Sequence, residues 1–219
     1  MTNHRNADRI AGAALIATAA SSVLAMAHHP TDMHSGSLGQ IVHGAMIVLV
    51  TLTTFGFSHF AIRRGLGRPA VLAGLVAYGL CLFGHVGAAT INGFIVPALA
   101  ADGHDAIGQG VAGHDILHFA WRSNQALAGL GVYANAAAFI LWSVDFVRRP
   151  GLEPRLIGLA GLAAGAIPAV LLATGQIRMD VPGALTAYTA FAAWAALVGV
   201  HLLRGGLEKG AAQTNERDA

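Results

Sequence analysis

The chain has 219 residues, 55% of them hydrophobic and only 11% charged, with a formal net charge of +2. Soluble domains carry about 25% charged residues, so a water-facing surface is excluded and the composition belongs to the membrane class. The isoelectric point of 9.1 would point to nucleic acid in a soluble protein. Here membrane topology explains the arginines, and no nucleic-acid partner is expected.

A helix needs about 20 mostly apolar residues to cross the hydrocarbon core of a bilayer. Six stretches qualify, roughly residues 9–28, 41–62, 70–92, 124–146, 155–175 and 184–203. Alternation of polar and apolar residues is absent, so a β-barrel is not expected. The expected fold is all-α, a polytopic bundle of six transmembrane helices over residues 1–204, with a polar, disordered tail at 205–219.

The first stretch opens with Arg5 and Arg9 and ends in "AMA" before His28, a pattern that a cleaved signal peptide also shows. Residues 9–27, "RIAGAALIATAASSVLAMA", align with residues 155–173, "RLIGLAGLAAGAIPAVLLA". "SHFAIRRG" (58–65) likewise matches "VHLLRGG" (200–206). A weak internal repeat relates spans one and two to five and six, and a span with a counterpart is expected to be retained. The segment "AMAHHPTDMHSG" that follows supplies imidazoles and thioethers, which suit copper in an oxidising compartment.

Span two carries His43 and His59, whose sixteen-residue separation turns a helix by about 160° and puts them on opposite faces. Span three places His85 and Asn92 seven residues apart on one face. Gly84 and Gly87 beside His85 leave room for a close helix approach or a ligand. The bland expectation for His85 is a core histidine donating to a backbone carbonyl. Cys81, in the same apolar run, is the chain's single cysteine and has no disulfide partner.

Span four is preceded by "GHDILHFAWRSNQ" (113–125), dense in polar side chains. At about 100° per residue, His114, His118, Arg122 and Gln125 fall within an arc of about 80°, one face of one helix. Span five has Gly161 and Gly165 in a small-xxx-small pattern, and Pro168 is expected to kink it. His201 in span six precedes Arg204 as His59 precedes Arg63, and both histidines read as interface residues.

Lys and Arg set the orientation. Eleven of the thirteen fall in the N-terminus, the second and fourth loops and the tail, leaving Arg122 and Arg178 for the other side. Both termini are therefore expected in the cytoplasm, in a multi-pass protein of the bacterial inner membrane. Counting about 20 residues from each arginine cluster reaches His28 and His29, His43, Asn92 and Gln125. Arg122 then lies at headgroup level with His114 and His118 beyond it. His28, His29, His34, His43, His104, His114 and His118 collect at the periplasmic face, with Asp32, Asp102, Asp105, Asp115 and Asp180. Spans one to four are expected to line a periplasmic pocket with His85 near its floor, and spans three and four to extend outward.

Two chemistries fit these residues. His114 and His118 have the spacing that lets two imidazoles grip one zinc or copper ion, with His43, His85 or Asp115 as third ligand. The zinc-protease glutamate is missing between them, and the bland alternative is that both are structural or solvated surface histidines. Alternatively, haem b needs histidines on two helices at one depth, which His43 and His118 offer, with Arg122 for a propionate. Arg122 is the candidate anchor for an anionic or lipid-like substrate and Asp115 a candidate base. The bland alternative is a salt bridge from Arg122 to Asp115 or to lipid phosphate.

The phrases "TINGFIVPALA" (90–100) and "NQALAGLGVYANAAAFILWS" (124–143) resemble those of an uncharacterised bacterial family of short six-helix integral membrane proteins. That resemblance implies fold and location and no activity. The paired histidines also echo the ceramidase-like membrane hydrolases, but the serine and aspartate partners of that family are not recognisable here. The functional expectation is a metal-binding protein or metal-dependent membrane enzyme acting on a small or lipid-like substrate. The alternatives are a haem electron-transfer subunit or a small-solute carrier using the same pocket.

Overall fold

The computed structural model of the chain describes residues 2–29, 37–102 and 111–206, and among them every regular element is helical. In order these are α1 (Thr2–Ala27), α2 (Ser37–Arg64), α3 (Pro69–Thr90), α4 (Val96–Asp102), α5 (Val111–Val147), α6 (Leu152–Ala173) and α7 (Val181–Leu203). A π-helical turn, Ile91–Ile95, joins α3 to α4. Six segments are long and apolar enough to cross a membrane: α1, α2, α3 continued into α4, α5, α6 and α7. This is the architecture of a multi-pass membrane protein. The third and fourth segments run 32 and 34 residues, about 50 Å at 1.5 Å per residue, and overshoot a hydrocarbon core of about 30 Å. Residue 92 is not a helix end, because the π-turn carries the helix onward.

Local chemistry sets the helix ends. Asp180 caps α7 by accepting from the Gly183 N–H at 3.0 Å, with proline in the first turn. Gly65 and Gly205 end α2 and α7 with φ of 95° and 68°, left-handed values that suit glycine. The expected tail, residues 205–219, lies outside the described residues from 207 onward.

Each spanning segment packs against its neighbour in sequence, and α1 closes on α7, so the six form a ring. Glycine makes the closest approaches. A β-carbon on Gly12 of α1 would stand 2.6 Å from the Gly199 carbonyl oxygen of α7. One on Gly84 of α3 would stand 2.7 Å from the Leu127 carbonyl oxygen and the Gly131 nitrogen of α5. One on Gly165 of α6 would stand 2.9 Å from the Ala136 carbonyl oxygen, also of α5. In lipid, where burial of apolar surface gives no drive between helices, such backbone contact is what packs them. Pro168 is buried inside α6, which continues through it. Outside the ring, Ile41, Val48, Phe55 and Ile62 recur every seven residues along the exposed face of α2.

One half of the interior is filled by aromatic rings. Phe57 stacks on Trp142 and Trp194, centroids 5.3 and 5.6 Å away, and Phe139 lies 4.2 Å from Trp194. The Trp142 indole donates to the Val71 carbonyl at 3.1 Å and Trp194 to Ile157 at 2.9 Å, which satisfies their one polar atom each. Beyond this block, at the arginine-rich end, lies a layer of charge. Buried Asp8 accepts from His59 Nε2 at 2.7 Å and from Arg63 at 2.9 and 3.1 Å. Arg64 pairs with Asp145, and Arg68 reaches the same carboxylate at 3.3 Å. His201 Nδ1 lies 3.2 Å from Glu153. Arg149, in the loop after α5, has its pKa lowered by burial and then by the charge of Arg68. His59 and His201 thus each lie against a carboxylate of a neighbouring helix in this layer.

The sequence repeat is also structural. Asp8–His59 joins α1 to α2 as Glu153–His201 joins α6 to α7. Gly12 and Gly158, aligned in the repeat, each seat their helix on the one before it in the ring, α7 and α5 respectively. α1 is a full member of that ring, with Ala11 and Leu15 completely buried.

Candidate functional site

The other half of the ring is open. A cavity of about 1300 Å³ runs from Arg122 and Arg178 at its mouth down to the aromatic block. All six spanning segments line it, through residues such as Met26, His43, His85, Asn124, Leu172 and Tyr188. Spans five and six were not expected there, because their inward faces are almost wholly apolar and carry no polar signal. Phe57, Tyr78, Phe139 and Phe191 form the base; His29, His43, Asn92, Arg122, Arg178 and Asp180 form the mouth.

At the mouth three side chains converge. His43, buried near the start of α2, has Nδ1 2.7 Å from the Gly39 carbonyl oxygen four residues back. That nitrogen therefore carries the proton and donates, leaving the lone pair on Nε2. His29 Nε2 lies 3.2 Å from His43 Nε2, and the Asn92 side-chain N–H donates to the same His43 nitrogen at 3.3 Å. The two imidazoles meet edge to face at 83°. Asn92 arrives through the π-turn, a feature that often marks functional positions. Gly93 lets that turn lie against the His43 ring, where a β-carbon would collide with the His43 side chain.

The polar run before span four has a different role. Asn124 donates to the Ala88 carbonyl at 2.7 Å and Gln125 to the Met179 carbonyl at 2.8 Å. They brace α5 against α3 and against the loop between α6 and α7, and so hold the mouth open. The Arg122 guanidinium lies 5.4 Å from the centre of the Trp121 ring and forms no ion pair among the described residues. The expected Arg122–Asp115 bridge is absent, with Asp115 exposed.

His114 and His118 do not belong to the cavity. Both are exposed, their rings are 6.4 Å apart, and His118 stacks on Trp121. The exposed face of α5 there carries both histidines, while Ala120 on another face is buried. The expected metal set of His114, His118, His43 and His85 is not brought together, nor is the His43–His118 pair for haem. Among the described residues no three His, Cys, Asp or Glu side chains gather in metal-binding geometry. His34, His104, Asp32 and Asp105, and the Asp102 side chain, lie outside the described residues.

His85 lies deeper, on the cavity wall. Its Nδ1 is 3.8 Å from Cys81 Sγ, its Nε2 has no partner among the described residues, and its ring centre is 5.2 Å from that of Tyr188. A β-carbon on Gly131 would come within 2.7 Å of that Nε2. The backbone carbonyl expected as its partner is not there. One turn along α5 from Gly131, Asn135 Oδ1 is unpartnered as well. Buried polar atoms are nearly always hydrogen-bonded, so two orphans on one wall stand out. Asn135, Arg178, Tyr188 and the His29–His43 contact were not legible as site features, since each depends on tertiary neighbours.

No protein-family model, curated protein or solved structure matches the chain. Fold and site define it as a six-helix membrane ring around a cavity with one polar mouth, and its function has to be argued from that cavity's chemistry.

Proposed function

We propose that the chain is a bacterial inner-membrane protein that binds a small or lipid-like amphiphile with an anionic end, in a cavity opening to the periplasm. The observation that carries this reading is the change of character along the cavity. Arg122, Arg178 and two imidazoles ring the mouth, while Phe57, Phe139 and Phe191 line the base. Aromatic walls suit a chain or ring system, and arginine forks suit carboxylate or phosphate. About 1300 Å³ exceeds the roughly 300–1,000 Å³ of ordinary small-molecule sites and leaves room for a lipid-sized body. Arginines at the closed end put that end in the cytoplasm by the positive-inside bias. Passage of a solute through the ring would require the aromatic block and the charge layer to part, which favours binding or catalysis at the mouth over transport.

A fluorescent long-chain fatty acid and its methyl ester, titrated into the detergent-purified protein, test this. The acid should bind one per chain and more tightly than the ester. An Arg122→Ala, Arg178→Ala double variant should weaken the acid about tenfold or more, as loss of a charge-assisted hydrogen bond does, and leave the ester unchanged. Equal binding of acid and ester, or acid binding untouched in the double variant, would defeat the proposal.

A further inference from the structure

We propose a divalent-metal site at the cavity mouth, held by His29 Nε2, His43 Nε2 and the Asn92 side-chain oxygen, with an open position toward the cavity. Three separate elements bring these groups to one point: the end of α1, the first turns of α2 and the π-turn. The contacts of His43 Nε2 with His29 and Asn92 measure 3.2 and 3.3 Å. Metal bonds of about 2.0–2.1 Å in tetrahedral array place ligand atoms roughly 3.3 Å from one another. Both separations from His43 Nε2 therefore match those that an ion of zinc's size imposes on its ligands.

The protonation pattern agrees. The Nδ1–H of His43 is committed to the Gly39 carbonyl, the outer hydrogen bond that metal-ligating imidazoles characteristically keep and that fixes Nε2 as the ligand atom. Two hydrogen-bond donors, from His29 and Asn92, otherwise compete for the one lone pair of His43. An ion at that point would use the lone pairs of both imidazoles. Nitrogen and oxygen of the Asn92 amide exchange places on a half-turn, so its oxygen can complete the set. Three neutral donors leave the full ionic charge uncompensated. Imidazole with amide oxygen suits zinc or copper(II), and three protein ligands with one free position is the arrangement of catalytic rather than structural zinc. The free position lies in the same mouth as Arg122 and Arg178, where the ion would take the anionic end of the bound amphiphile. That last point rests on the function proposed above; the ion site itself does not.

The test uses the full chain, stripped with chelator and titrated with zinc chloride alone, with the amphiphile measured separately on the stripped protein. One zinc per chain is expected, with affinity reduced about a hundredfold or more in His29→Ala and in His43→Ala. Asn92→Asp, which keeps size and adds a charged oxygen, should tighten zinc about tenfold, and Asn92→Leu should weaken it about tenfold, within the range that single changes around metal ligands produce. His114→Ala with His118→Ala should change nothing. The site is overturned if the native chain takes up no zinc, if uptake survives both single histidine variants, or if Asn92→Asp binds no better than the native chain. Fatty acid binding without zinc binding would overturn the metal site and leave the amphiphile reading standing; zinc binding without fatty acid binding would do the reverse.

Discussion

His85 is held in the ring at an energetic cost. Its Nε2 is buried with no partner, and its Nδ1 has only a 3.8 Å contact with the Cys81 sulfur. An unsatisfied buried polar atom costs about 1–3 kcal/mol, and an apolar side chain of similar size removes that cost. His85→Leu should therefore leave the thermal midpoint of the purified protein unchanged or raise it by a few degrees. A clear fall in the midpoint would mean that the imidazole is satisfied after all. An ionisable side chain at this depth is a functional candidate by default, and the cavity beside it supplies the reason.

Residue placement was legible only in part. Counting along the helices from the arginines put His29, His43 and Asn92 at one depth, and they do meet there. The helical wheel grouped His114, His118, Arg122 and Gln125 on one face, but a wheel does not record which stretch of that face a neighbouring helix covers. Gln125 consequently reaches the Met179 carbonyl, while His114 and His118 stand exposed a few turns beyond. His29 entered only as one of several imidazoles in the segment after α1, where periodicity does not say which neighbour a side chain meets.

Among the elements, α3 shows how one residue type serves opposite ends. A β-carbon on Gly84 would stand 2.7 Å from two backbone atoms of α5, whereas one on Gly79 would meet nothing within 4 Å. Alanine gains about 1 kcal/mol over glycine in a helix interior, and overpacking against a backbone that cannot yield costs about 1–3 kcal/mol. Gly79→Ala should accordingly raise the denaturation midpoint in detergent and Gly84→Ala should lower it. If the two shift together, the close seating of α3 on α5 is wrong. Gly84 and Gly87 were legible as a place of close approach from their position beside His85. The π-turn was not, because "INGFI" contains no breaker stronger than one glycine and reads as more helix. Its extra residue is what turns Asn92 toward His43.

At the scale of the molecule, hydropathy was enough for six spans and the repeat for the likeness of α1–α2 to α6–α7. Ring closure was beyond it, since α1 meets α7 through Gly12 and Gly199, two glycines without a distinguishing pattern. The carboxylates that lie against His59 and His201 were also hidden, because each belongs to the preceding helix. The closed ring is asymmetric across its thickness: Asp8 pairs with Arg63 and Asp145 with Arg64 at one end, and the cavity opens at the other. The proposed orientation, with the arginine-rich end in the cytoplasm, turns the mouth toward the periplasm and puts the loops at 65–68 and 174–180 on opposite sides. Cys81 is buried, so a Cys81→Ser background leaves no native thiol to confuse a label. In spheroplasts, a membrane-impermeant maleimide should modify Gln176→Cys at once and Gly67→Cys only after the membrane is permeabilised, both positions being exposed. The opposite order would turn the cavity toward the cytoplasm, and its amphiphile would then have to be drawn from the cytoplasmic leaflet.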